Sequence, residues 1–374
     1  MITTTFGTER FLRHYWQRRP VLLKQALSGF VDPISAEELA GLACESEAEA
    51  RLVHHARGHW QLQPGPFTES DFLGLPDHDW TLLVQAVDQW VPGVKALLQE
   101  VPFLPRWRVD DVMISYATPG GGVGPHFDYY DVFLIQGQGR RRWQTGQTCS
   151  SGDLLRTESG LKLLKDFQVE QDWILESGDV LYVPPGVAHF GTSLNCSLCY
   201  SVGFRAPSAA ELLLGYAEQR AETLPPDLRF RDPRRTQPLQ AGEITDTDLR
   251  QLRRLLRSLL RDESALDLWF GRHVTETRDD QFITPPRRRP AWQPTGLLRL
   301  HSAARLAWQQ NGRDLQVFVN GDVERLPNSA GLRRCLTALS SGQALPAGQL
   351  GERPAVLGWC QRLCDAGILQ WCRR

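Results

Sequence analysis

His126-Phe127-Asp128 and, further along, His189 are the residues whose types and spacing point most directly to chemistry. On an extended strand, residues i and i+2 face the same way, so the His126 imidazole and the Asp128 carboxylate converge. His189 closes a second pattern, Val183-Pro-Pro-Gly-Val-Ala-His189, a strand that runs into a rigid turn. Two imidazoles and one carboxylate can occupy one face of an octahedron and leave the remaining positions open. Those positions suit a bidentate 2-oxo acid and O2 on a non-haem Fe(II) ion. A lone His-x-Asp is a weak signal, but its setting strengthens it. Gly120-Gly-Gly-Val-Gly-Pro leads into it, and glycines let backbone approach a site closely. Histidines 14, 54, 55, 59, 78, 273 and 301 have no comparable setting and read as surface or core residues.

These side chains need a framework. Short apolar runs at Val112–Tyr116, Val132–Gln136, Arg141–Gln144, Val180–Val183 and Leu198–Phe204 read as strands. Turn signals separate them, at Pro119–Gly122, Gly137–Gly139, Ser177–Asp179 and Pro184–Gly186. Short strands punctuated this regularly predict a barrel or sandwich. Upstream, Phe11–Pro20 reads as an amphipathic helix closed by Pro20, followed by a strand at Val21–Leu23. Residues 208–270 read as mainly helical. Ser208-Ala-Ala-Glu211 has the capping-box pattern, and Thr247-Asp248 leads into leucines 249, 252, 255, 256, 259 and 260 at amphipathic spacing. Leu224–Pro233 reads as a loop. Beyond residue 281, Pro285–Pro290 reads as a linker, and an Asn320-Gly321 turn joins Leu315–Val319 to Val323–Leu326 as a hairpin. Helices at 329–341 and 354–366 and a strand at Ile368–Trp371 complete a pattern like a degenerate winged helix.

The composition excludes several classes. With 374 residues, 41% apolar and 23% charged, the chain is long enough for two or three globular domains and is not a disordered or fibrous sequence. No window approaches 18 consecutive apolar residues, so no membrane span is expected. Met1–Glu9 lacks a basic region followed by an apolar one, so no secretory signal is expected. Eight cysteines are too sparse for a disulfide scaffold, and the single CxxC, Cys196–Cys199, has no second pair for zinc, so core thiols in a reducing cytosol are expected. The basic residues are almost all arginine, with lysine only at 24, 95, 162 and 165. The net charge of −1 divides unevenly. Residues 281–374 carry thirteen arginines against five acids, +8, and residues 209–280 twelve against fourteen, −2, which leaves −7 for residues 1–208. An acidic catalytic part would draw in a basic polypeptide.

The stretch from His126 to Trp143, the downstream Gly178–Gly191 and the opening Phe11–Gln25 together resemble the JmjC-type ribosomal oxygenases, in particular the bacterial arginine hydroxylases of ribosomal protein L-sixteen. The likeness spans the whole chain. It implies an α+β protein: a JmjC, cupin-type double-stranded β-helix over residues 1–207, a helical dimerisation region over 208–280 and a winged-helix domain over 281–374. It implies Fe(II) held by His126, Asp128 and His189, with 2-oxoglutarate and O2 as cosubstrates. The family holds the distal carboxylate of 2-oxoglutarate with a basic residue on the strand after the His-x-Asp, which matches Arg141 here, and with a hydroxyl that matches Ser115. Alternation sets Arg141 opposite to Arg140 and Arg142. The resemblance further implies a cytoplasmic homodimer that hydroxylates the β-carbon of an arginine in L-sixteen.

Three alternatives stand beside that reading. The same fold could act on histidine or on another protein residue. A cupin-like protein could bind metal without oxygenase chemistry, although it would have no need of a carboxylate anchor at Arg141. The +8 C-terminal part could instead bind nucleic acid. Tyr129, Tyr130 and Asp131 are open to two readings, the substrate entrance or packing within the barrel.

Overall fold

The computed structural model describes residues 7–56, 58–153, 155–156, 160–233, 242–277, 283–350 and 353–372. Most of the N-terminal stretch on which the absence of a secretory signal was read lies outside them. Contacts group the chain into two compact units, one of residues 1–206, 279–304 and 329–374, the other of residues 207–278 and 305–328.

In the first unit the elements run α1 (Thr8–His14), β1 (Val21–Leu23), α2 (Ala36–Leu42), β2 (Ala50–Ala56), β3 (His59–Pro64), α3 (Glu69–Leu73), β4 (Trp80–Val84), α4 (Val87–Trp90) and α5 (Pro92–Ala96). The barrel strands follow: β5 (Val109–Ala117), β6 (Val132–Gln136), β7 (Arg140–Thr148), β8 (Leu155–Arg156), β9 (Leu163–Leu164), β10 (Val169–Glu176), β11 (Val180–Val183), β12 (Val187–Ser193) and β13 (Ser197–Phe204). Among the described residues, an eight-stranded sheet has the order β1-β11-β6-β13-β5-β4-β2-β3, and β10-β7-β12 forms a second sheet. Among the described residues, these strands pair antiparallel throughout.

Strand parity explains the arrangement. Phe133 and Ile135 of β6, Tyr182 of β11, Val112 and Ile114 of β5, and Tyr200 and Val202 of β13 face a core shared with Phe11, Leu39 and Val94 from the N-terminal helices. The intervening Val132 and Leu134, Leu181 and Val183, and Cys199 face the other way, toward Trp143, Leu175 and Val187 of the small sheet. Both faces of the large sheet are therefore buried around β6 and β11, and these strands are almost continuously apolar rather than alternating. The inward positions of β5 and β13 include Ser115 and Ser197, polar residues in an otherwise apolar interior.

The expected strands are present, with β7 longer than expected and β13 beginning one residue earlier. The expected helix over 11–20 stops at His14. Gln17 has a positive φ of 55°, so the chain turns before Pro20. Strands β2, β3, β4, β8, β9, β10 and β12 were not foreseen. Cys149, Cys199, Cys335, Cys360 and Cys364 are buried as expected of core thiols, whereas Cys196 is exposed in the turn before β13.

The second unit holds α6 (Ala209–Thr223), α7 (Asp246–Leu259) and α8 (Glu263–His273). Ser208 and Glu211 form the expected capping box on α6. The cap of α7 is Thr245, with Asp248 as its partner, two residues before the expected start. Strand β14 (Leu297–Leu300) belongs to the first unit, and β15 (Leu306–Asn311), β16 (Asp314–Val319) and β17 (Asp322–Pro327) to the second. Asn320 and Gly321 both have positive φ, as a tight hairpin turn of the primed kind requires. Gly271 of α8 has no side chain where the Phe318 ring of β16 sits, which lets helix and hairpin pack closely. The remaining elements, α9 (Ala330–Ser340), β18 (Leu345–Pro346), α10 (Pro354–Asp365) and β19 (Leu369–Cys372), pack with β14 in the first unit. Neither unit coincides with one of the consecutive blocks 1–207, 208–280 and 281–374, because the hairpin joins α8 while the flanking helices join β14. Among the described residues, no helix is long and apolar enough to cross a membrane.

Candidate active site

His126 lies in the segment between β5 and β6, and His189 lies within β12. The two are joined by a single antiparallel bridge, with the His126 N–H donating to the His189 carbonyl at 3.1 Å and the reverse bond at 2.8 Å. This pairing sets the two imidazoles side by side, with ring centroids 4.3 Å apart. The glycine-rich loop makes it possible. A side chain at Gly122 would run into the Gly191 carbonyl of β12, so only glycine lets the loop lie this close to the strand.

The Asp128 carboxylate completes the group. Its Oδ2 lies 3.9 Å from His126 Nε2 and 3.6 Å from His189 Nε2, and the three ligand atoms fall within 4.8 Å of one another. Among the described residues, no other group of three His, Cys, Asp or Glu side chains converges in this way. Both Nδ1 atoms are held by nearby carbonyls, that of His126 by Gly124 at 2.9 Å and that of His189 by Val187 at 3.0 Å. A carbonyl accepts only from an N–H, so each Nδ1 carries the proton and each Nε2 presents a lone pair to the centre. Burial, and then the neighbouring His126, pushes His189 down to about 4, which keeps it neutral.

Further inside, Arg141 is 5% exposed. Among the described residues it pairs with no carboxylate. Its Nη1 donates to Ser115 Oγ at 2.8 Å, and its Nη2 and Nε donate to Ser197 Oγ at 3.0 and 3.2 Å. Ser193 shares a hydrogen bond with Ser197, their oxygens 2.5 Å apart. A buried guanidinium met only by hydroxyls and the Ser115 and Ser197 carbonyls carries an uncompensated charge, which several kcal/mol of desolvation would ordinarily forbid. That burial pulls the Arg141 pKa below its usual value. The arrangement matches a receptor for a carboxylate brought in by a ligand. Arg140 and Arg142 point outward as alternation requires, and Arg142 pairs with Asp172 on the surface.

The structure therefore brings together all five expected site residues: His126, Asp128 and His189 at one place, Arg141 and Ser115 at another, within one barrel. Ser197 and Ser193 were missed. Strand parity on β13 would have found Ser197, but the expected strand began at Leu198. Tyr129 and Tyr130, open to two readings, are 61% and 42% exposed beside Asp128 and do not pack inside the barrel. Asp131 is fully buried and structural. It accepts from Tyr182 at 2.6 Å and Gln17 at 3.0 Å and pairs with Arg108 at 3.4 Å.

Residues 96–212 match the JmjC domain, and residues 258–370 match the ROXA-like winged helix, which begins inside α7. The chain is 38% identical to the ribosomal protein uL16 3-hydroxylase of Escherichia coli, over 97% of both chains. It is 30% identical to a probable ribosomal oxygenase of Haemophilus influenzae, over 90% of this chain and 86% of that one. Its fold superposes on the X-ray structure of E. coli YcfD with a TM-score of 0.87 at 37% identity, over 98% of this chain and 99% of that one. A structure of YcfD, described as a ribosomal oxygenase, in complex with cobalt and 2-oxoglutarate superposes with a TM-score of 0.83 over 98% of both chains. With that agreement along its whole length, and with the barrel and the His-Asp-His group in place, the chain belongs to the JmjC-type ribosomal oxygenases.

Proposed function

We propose that this chain is an Fe(II)- and 2-oxoglutarate-dependent protein hydroxylase that adds a hydroxyl to the β-carbon of an arginine in ribosomal protein uL16 (L-sixteen) of the large subunit. One observation carries the reading. A His-Asp-His group and a buried arginine that has no acidic partner among the described residues share one barrel interior, one suited to a metal and the other to the far end of a dicarboxylate. The donor set fits Fe(II), since two imidazole nitrogens and one carboxylate oxygen converge with both tautomers already fixed. The activity and cosubstrates named for the E. coli relatives support the same assignment.

In this reading His126, Asp128 and His189 hold the metal, and Arg141 with Ser115 and Ser197 holds the distal carboxylate of 2-oxoglutarate. Iron, 2-oxoglutarate and O2 supply the oxidising chemistry when bound, in which decarboxylation to succinate and CO2 is coupled to hydroxylation of an unactivated C–H bond. The protein's own part is placement. The Gly124 and Val187 carbonyls orient the imidazoles, Arg141 fixes the far end of the cosubstrate, and the apolar interior around Leu134, Leu181 and Val183 excludes water. The exposed Tyr129 and Tyr130 mark the side from which a polypeptide approaches Asp128.

The remaining assignments belong to this reading as well. Residues 1–207 carry the catalysis, 208–280 the self-association and 281–374 the winged helix. The chain works in the cytoplasm, where a ribosomal substrate is found. It works as a homodimer through α6 and α7, because α7 is strongly amphipathic and has no buried residue of its own. The test of function is direct. Protein, Fe(II), 2-oxoglutarate and ascorbate are incubated with a uL16 fragment, and succinate release and the gain of one oxygen atom on an arginine are measured. Oxygen gained on histidine-containing peptides alone would overturn the arginine assignment.

A further inference from the structure

Trp143 of β7 is 5% exposed, yet its indole Nε1 has no hydrogen-bond acceptor among the described residues. Buried indole N–H groups ordinarily find a partner, and leaving one without carries its full desolvation cost. Its position gives the orphan donor meaning. Alternation along β7 points Arg141, Trp143 and Thr145 to the same inner face. Across the sheet these three pair with Ser193, Gly191 and His189 of β12 in turn. Trp143 is therefore the residue between the arginine anchor at one end and the histidine ligand at the other.

The ring is seated there by a close fit. A Cβ at Gly191 would lie 2.8 Å from the indole Cη2 and Cζ2 and 2.9 Å from Cε2, the carbon that bears Nε1. The indole thus lies across the bare Gly191 backbone, its centroid 6.0 Å from that of the His189 ring. Trp173 of β10 pairs with Trp143 on the other side. A tryptophan that served only as filler could be replaced by any large apolar side chain, whereas this one brings a buried donor without a protein partner to the inner face.

We propose that the Trp143 indole N–H donates a hydrogen bond to an oxygen of the bound 2-oxo acid, making Trp143 a further cosubstrate-binding residue beside Arg141 and Ser115. The inference rests on the 2-oxoglutarate reading above. In the ligand-free protein the donor is unsatisfied, and the ligand supplies the acceptor, as it supplies the counter-charge for Arg141. Gly191 belongs to the same device, because any side chain there would push the indole away.

The test is binding without turnover. Under anaerobic conditions with Mn(II) in place of iron, Trp143→Phe keeps a ring and removes the N–H. Its dissociation constant for 2-oxoglutarate should rise by about tenfold, the effect of one hydrogen bond to a charged ligand, while its Mn(II) affinity stays within about twofold of wild type. Affinity for 2-oxoglutarate within about twofold of wild type would overturn the proposal. A second measurement needs no variant. In Zn(II)-loaded protein with 15N-labelled tryptophan, the indole N–H resonance most broadened on exchange to Mn(II) should move downfield when 2-oxoglutarate is added, and an unmoved resonance would overturn the proposal equally. Wild-type protein that fails to bind 2-oxoglutarate at all would instead overturn the cosubstrate reading itself, which separates the two failures.

Discussion

At the scale of single residues, the site is decided by which groups are buried and what they lack. The metal group predicts an all-or-none result: His126→Ala or Asp128→Ala should abolish succinate release, and full activity in either variant would refute the ligand assignment. Arg141 predicts a graded one. A charge-assisted bond to a carboxylate is worth about 1.5–3 kcal/mol, so Arg141→Met should weaken 2-oxoglutarate binding by about 100-fold and leave metal binding unchanged, both read by titration with Mn(II). His189 predicts a pH dependence. Burial, and then His126, lowers its folded-state value to about 4, below the roughly 6.5 of an unfolded histidine. Its contribution to folding is therefore complete above about pH 6.5 and is lost as the pH falls toward about 4. The metal-free wild type should lose Tm more steeply than His189→Gln between about pH 7.5 and about pH 5, and parallel curves would contradict the assignment.

Secondary-structure elements decide how those residues are held. The large sheet has two apolar faces because the N-terminal helices cover one side and the small sheet the other. Asp131, just before β6, ties this together by accepting from Tyr182 on β11 and Gln17 beyond α1 while pairing with Arg108. Burial pushes its carboxyl up in spite of those partners. Asp131→Ala would strand a buried phenol and a guanidinium, and should cost about 3 kcal/mol in urea unfolding. Loss of less than about 1 kcal/mol would show that solvent satisfies those groups. These elements were unevenly legible in the sequence. Strands β6, β11 and β13 stood out as apolar runs and were found nearly to the residue. Strands β2 to β4 were not, because β3 is largely exposed and polar and carries no run to read. The helix over 11–20 was overextended, because the periodicity continues through Tyr15 and Trp16 although the chain has already turned at Gln17.

For the whole molecule, the charge and the exposed leucines carry the predictions. Leu213, Leu214, Leu252, Leu256 and Leu260 are each at least 40% exposed on α6 and α7 and around the end of α7. These exposed leucines are the surface that the proposed dimer contact would cover. Leu256→Glu should convert a dimer into a monomer in light scattering without lowering far-UV helicity, and a wild-type protein that is already monomeric would remove the dimer from the proposal. The net charge of −1 is a cancellation between an acidic catalytic stretch and a basic C-terminal one, so it does not argue against contact with ribosomal components. The folded chain also divides differently from the sequence. Consecutive blocks were expected, yet the 305–328 segment groups with the helices before it, because Phe318 finds its place on the bare face of Gly271.

The sequence by itself determined the chemistry. His126, Asp128 and His189 were legible from ligand types, spacing and glycine- and proline-rich setting, which are local properties of the chain, although His126 and Asp128 lie in a bridged loop and not on a strand. Arg141 and Ser115 were legible only through the family resemblance. Only the tertiary structure decided what surrounds them. It put Ser197 at the guanidinium with Ser193 behind it and, among the described residues, withheld any carboxylate from it. It fixed the tautomers of both histidines, placed the Trp143 indole over Gly191 between the two ends of the site and made Asp131 a buried tie. Each of these depends on strands far apart in sequence lying in a particular register, and register is set by which faces are buried together, which no single segment contains.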